Sequence, residues 1–219
     1  MKSFEKWKYQ ELQNYFGLHR VYKHEKLLQW IGCKDIVISE KEKELLLPLQ
    51  ERLIYEIDAW QEDELKSFFI IPVIDIVAFW RYEKYKSFTQ RNVSATLKTL
   101  QNELVTINGR VEFLVAKGMQ DPEKPYFFLH EYKREHSGQS DPIGQLLAAM
   151  FASQSLNDDT KTLYGLYIIG RNWFFVILEG KAYSISKAYD ATEYEPLMEI
   201  LKILKKVKAY IDEWEDEIV

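Results

Sequence analysis

Pro125-Tyr126-Phe127-Phe128-Leu129-His130-Glu131-Tyr132-Lys133 decides how the chain is read. A turn signal, Asp121-Pro122-Glu123-Lys124, stands just before it. The stretch then runs apolar and aromatic, which reads as a buried strand. Two charges appear where that strand should end. Strand side chains alternate between faces, so Glu131 and Lys133 share one face and His130 takes the other. Charges on a mostly buried strand must be paired or must coordinate something.

Two explanations fit this pattern. One is a salt bridge at the mouth of a sheet. The other is metal-assisted phosphodiester hydrolysis, in which a carboxylate binds a divalent cation and a nearby lysine serves the attacking water or the phosphate. The second explanation needs another carboxylate close by. Gly109-Arg110-Val111-Glu112-Phe113-Leu114-Val115-Ala116 is a further apolar run with one acid in it. A loop around Lys117-Gly118 joins the two runs, so a hairpin would bring Glu112 beside Glu131. Glu-x-Lys occurs three times, at Glu64, Glu131 and Glu179. The first lies in a helical pattern and the third at a glycine turn. Only the middle one ends a buried strand.

The composition narrows the classes. A chain of 219 residues suits one domain, or one domain with an appendage. Its 47% apolar and 15% aromatic content is ample for a core, and a net charge of −5 excludes a generally basic nucleic-acid binder. Any such contact must come from a local patch. Cys33 is the only cysteine, so no intramolecular disulfide forms. No apolar run reaches membrane-spanning length and no signal-peptide pattern opens the chain, so a soluble, cytoplasmic protein without membrane contact is expected.

Residues 1–59 read as a helical N-terminal extension. Phe4, Trp7, Leu12, Tyr15 and Phe16 fall roughly at helical spacing, and Gly32 ends a short helix holding Leu27, Trp30 and Ile31. Ser39 and Glu42 form a capping box for a longer helix carrying Leu46, Leu49, Leu53 and Ile57. His19 and His24 lack ligand spacing and read as surface residues. The second unit, residues 60–219, opens with an acidic first turn, Glu62-Asp63-Glu64, on a buried helix that Pro72 would kink. Ile107-Asn108-Gly109 reads as a turn. Asp141-Pro142 caps a helix whose first turn holds Gln145. Leu163 to Ile169, Trp173 to Leu178 and Ala182 to Ile185 read as hairpin strands. A final helix over 194–215 ends in five acids between Asp212 and Glu217, which oppose the helix dipole and predict fraying. The order of elements is α/β, with a mixed β-sheet flanked by helices.

Over roughly residues 60–190 the chain resembles the PD-(D/E)XK nuclease superfamily, the restriction-endonuclease-like fold, and an uncharacterised bacterial branch of it. The landmarks are Trp60 to Lys66, Asn108 to Phe113, Phe128 to Lys133, Asp141 to Leu147, and Tyr164-Gly165 with Gly170-Arg171-Asn172-Trp173. The resemblance implies a Mg²⁺-dependent nuclease acting on DNA, endo- or exonucleolytic, with Mn²⁺ as a substitute. It sets Glu112 and Glu131 at the metal-binding acids and Lys133 at the catalytic lysine. Gln145 matches a helix glutamine that contacts the active site or the nucleic acid. Glu62 matches an acid of the first core helix, with Glu64 as the alternative. Glu112 departs from the commoner Asp by one methylene. The other expectation is an inactive nuclease-fold binding or scaffold module in a bacterial defence or repair complex, with the N-terminal arm docking a protein partner.

Overall fold

The computed structural model describes residues 2–133, 141–157 and 161–217, without the side chains of 130–133. The chain begins with a two-residue strand, β1 (Lys2–Ser3), and a 3-10 turn, Phe4–Lys6. Then come α1 (Tyr9–Phe16), β2 (His19–Arg20), α2 (Glu25–Ile31) and α3 (Glu40–Glu56). A helical rod follows in three parts: α4 (Glu62–Leu65), a π-turn (Lys66–Ile70) and α5 (Ile71–Val77). Three long strands come next, β3 (Lys86–Lys98), β4 (Leu104–Lys117) and β5 (Lys124–Lys133). Helix α6 (Pro142–Gln154) leads to β6 (Leu163–Ile169), β7 (Asn172–Glu179), β8 (Ala182–Ile185) and β9 (Tyr189–Asp190), and α7 (Tyr194–Asp216) completes the chain.

Among the described residues the strands form one mixed sheet in the order β1-β4-β5-β6-β7-β8-β2, with β3 on β4 and β9 on β7. β5 and β6 run parallel, joined through α6, while β3, β4 and β5 form an antiparallel meander. The molecule is therefore α/β with helices on both faces of a mixed sheet. That is why the central strands read as continuous apolar runs: both of their faces are covered. On β5, Phe127 and Leu129 face α3, α5 and α7, in a core with Trp30, Leu53, Phe69 and Leu204. Phe128 faces the opposite way, against Phe4, Trp7, Leu146 and Met150.

The capping expectations hold. Ser39 and Glu42 exchange bonds, Ser39 N–H donating to Glu42 Oε2 at 2.7 Å. Asp141 Oδ1 accepts from the Gly144 N–H at 2.9 Å, and its Oδ2 accepts from the Tyr9 N–H at 2.9 Å. One carboxylate thus satisfies the starts of α6 and α1 and ties the N-terminal segment to α6.

Several expectations are corrected. The N-terminal segment is mostly helical, but β1 pairs with Ile107–Asn108 of β4 and β2 pairs with β8. Its side chains enter both cores, Phe4, Trp7, Leu12 and Phe16 on one face and Trp30, Leu46 and Leu53 on the other. Asn108-Gly109 is not a turn but the middle of β4. A Cβ on Gly109 would stand 2.6 Å from the Phe4 ring, so the glycine admits that ring. The turn lies at Thr99–Glu103, where Asn102 takes φ 66°. His24 is not a surface residue: its side chain is 14% exposed and faces Glu179.

The acidic end of α7 is not frayed as far as Asp216. Asp212 accepts from Tyr85 Oη at 2.8 Å, and Arg81 Nη2 meets Asp216 at 2.7 Å. Glu215, 1% exposed, accepts from the Tyr126 hydroxyl. Tertiary partners outweigh the unfavourable dipole here, because a dipole interaction of this kind is worth only about 0.3–1 kcal/mol.

Candidate functional site

The site grows from an irregularity in the sheet. β3 holds one edge of β4 along its length, pairing from Lys86↔Ala116 to Lys98↔Leu104. The other edge is shared. β5 takes it from Phe113 to Lys117, and β1 takes it at Ile107–Asn108. Between them lies a notch over residues 109–112. The Phe4 ring lies over Gly109 at one end, and Glu112 stands at the other.

The strands themselves kink at this point. Phe88 and Val93 of β3 enter the same core although their spacing is odd, and so do Val111 and Leu114 of β4. Strict alternation forbids that. The change of face falls at Gln90, which takes φ 53°, opposite Glu112. β5 has its own irregularity: two residues, His130 and Glu131, stand against the single residue Tyr167 of β6, between Leu129↔Leu166 and Tyr132↔Ile168. Bulges of this kind gather next to active sites, where they re-aim side chains.

Glu112 is 29% exposed at its side chain. Its Oε2 receives Lys66 Nζ at 2.6 Å and also accepts from Gln90 Nε2. Lys66 opens the π-turn of the helical rod and is 19% exposed. Glu62, partly buried, lies one turn before it on α4. Glu131 and Lys133 occupy the end of β5, just past the last β4–β5 pair, Phe113↔Leu129. Their side chains lie outside the described set. Gln145 is 4% exposed in the first turn of α6, the helix packed across β5. The polar stretch Arg134 to Ser140 lies outside the described residues. An open groove of about 640 Å³ runs along β3, lined by Lys86, Ser87, Thr89, Arg91 and Gln120.

No family model matches the sequence, and neither does any curated protein. The reading therefore rests on the geometry. Among the described residues no group of three or more His, Cys, Asp or Glu forms a ready metal cluster, and no helix is long and apolar enough to cross a membrane.

Lys66 and Gln90 are the two site residues that sequence reasoning missed. Lys66 belongs to the Glu64-Leu65-Lys66 copy of Glu-x-Lys, set aside above as helical. Its i, i+4 spacing from Glu62 was the available signal, since such pairs share a helix face. Gln90 carried none, because its place follows from a backbone kink.

Proposed function

We propose that this chain is a metal-dependent nuclease that hydrolyses phosphodiester bonds, with DNA as its substrate. The reading rests on one observation: Glu112 stands at the notch where β4 parts from β5, one step from the β5 end that carries Glu131 and Lys133. Glu112 lies on the antiparallel β3–β4–β5 meander, α6 and the parallel strand β6 flank β5, and the π-turn brings Lys66 to the Glu112 carboxylate, with Glu62 one turn earlier on α4. Carboxylate oxygens are the donors that Mg²⁺ and Mn²⁺ prefer, so Glu112 and Glu131 suit such a cation. Bound there, the cation would polarise the scissile phosphate and acidify a water. In this reading Lys133 orients that water or neutralises developing charge, and Gln145 and Glu62 support the acids. In this reading the groove along β3, with Lys86 and Arg91 in its lining, would take part of the nucleic-acid strand.

A second reading is favoured by the Lys66–Glu112 contact. A carboxylate already neutralised by an ammonium is what an inactive nuclease-fold binding module would keep. Exposed apolar side chains of α3, Tyr55 at 89% and Leu45 and Ile54 each at 52%, would then serve a protein partner.

The deciding experiment incubates purified protein with single- and double-stranded DNA and RNA in Mg²⁺ or Mn²⁺. Divalent-dependent cleavage is expected, and Lys133→Ala should lower it by about 10²–10⁴-fold, the usual contribution of a proton-transfer group. Binding without cleavage would favour the second reading. A folded Lys133→Ala variant with full activity would remove the lysine from the chemistry.

A further inference from the structure

A cation already stands on Glu112. Lys66 Nζ lies 2.6 Å from Glu112 Oε2, and the lysine comes from the helical rod, 46 residues away in sequence. The local backbone explains its reach. Pro72 has no N–H and its ring crowds the carbonyl four residues back, so an α-turn there is disfavoured. The rod answers with a π-turn, in which the Ile71 N–H bonds to the Lys66 carbonyl. The lysine at the head of that turn meets the notch, while Gln90, on its kink, shares the same carboxylate oxygen.

We propose that Lys66 is a built-in counter-ion that competes with a divalent cation for Glu112, which makes it a positioning residue of the metal site. This rests on the nuclease reading above. Mg²⁺ holds a carboxylate oxygen at about 2.0–2.1 Å. An ammonium on that oxygen would sit within a few ångströms of the metal, and the two charges repel. The lysine must therefore swing away when the cation enters, which its flexible four-carbon stem allows. In the metal-free chain it keeps Glu112 neutralised beside the Glu131 end of β5. The cost is weaker metal affinity, so the site would fill only above a threshold concentration of divalent cation.

The test is a Mn²⁺ titration of the full chain followed by electron paramagnetic resonance, on wild type, Lys66→Met, Lys66→Arg and Glu112→Gln. Lys66→Met should bind Mn²⁺ about three- to tenfold more tightly, the range expected for removing one partly buried ion pair. Lys66→Arg keeps the charge and should stay near wild type. Glu112→Gln should lose the site. A second measurement needs no variant: the lysine Nζ resonance assigned to Lys66 should shift when wild type is saturated with Mg²⁺. Unchanged or weaker Mn²⁺ binding in Lys66→Met, with Glu112 still required, would overturn the counter-ion role and leave the nuclease reading standing. Mn²⁺ binding that ignores Glu112→Gln, or none at all, would overturn both.

Discussion

Tyr126 and Glu215 show what a single buried charge demands. Glu215 is 1% exposed, accepts from the Tyr126 hydroxyl, and has Lys117 Nζ only at 4.0 Å. Removing the hydroxyl leaves a buried carboxylate short of a donor, a loss of about 1–3 kcal/mol. Tyr126→Phe should therefore lower the urea midpoint without changing the slope, and an unchanged midpoint would show that Lys117 alone suffices. Glu179 is the corresponding case near the surface. Its hydrogen bond from Lys26 holds its carboxyl below the ordinary value of 4.5, with His24 and Thr162 adding to the effect. A carboxyl with a depressed folded pKa contributes stability that is full above its unfolded value and is lost as pH falls through the folded one. Lys26→Met should thus lower the melting temperature at pH 7, and its difference from wild type should shrink as pH falls below the ordinary value of 4.5. A gap that stays constant as pH falls would assign the loss to packing. At the site, Glu112→Asp should keep part of any cleavage, whereas Glu112→Gln should abolish it. Equal activity for wild type and Gln would leave Glu112 as a strand-edge salt bridge.

Single elements were read well where the pattern is local. The capping boxes, the glycine turns at Gly170 and Gly180, and the long periodic helix α7 all follow from residues within one or two turns of each other. Asn108-Gly109 was misread because the dipeptide has two uses. It makes tight turns, and it also makes room. Only the approach of Phe4 from the far end of the chain decides which applies. Gly109→Ala should therefore cost about 1–3 kcal/mol by overpacking against that ring. In a Phe4→Ala background the same change should cost much less, a coupling that a double-mutant cycle in denaturant would read. Additive losses would mean that β4 needs glycine there for its backbone alone.

At the scale of the molecule, the N-terminal segment is part of both cores. β1 and β2 add to the sheet at separated places, and Trp30 and Phe16 pack on opposite faces of it. A chain truncated to residues 60–219 would uncover both faces. It should lose its cooperative melt by circular dichroism and aggregate, since large apolar surfaces do not stay exposed in soluble monomers. A sharp transition within a few degrees of the intact chain would show that residues 1–59 are dispensable for folding. The end of α7 is fixed by the same kind of distant contact, because Arg81 and Tyr85 precede it by more than 120 residues.

The amino-acid sequence alone determined the repeating features: strand and helix periods, caps, most turns, and the α/β order with its acids on two successive strands. These depend on neighbours a few residues apart, and so does the chemistry that the Glu131-Tyr132-Lys133 spacing suggests. Tertiary structure decided the rest. It set β1 beside β4 and opened the notch at Glu112. It kinked β3 at Gln90, and it brought Lys66 across 46 residues to the Glu112 carboxylate. No local period encodes such meetings, because each depends on how whole faces pack and on which buried charge lacks a partner once they have.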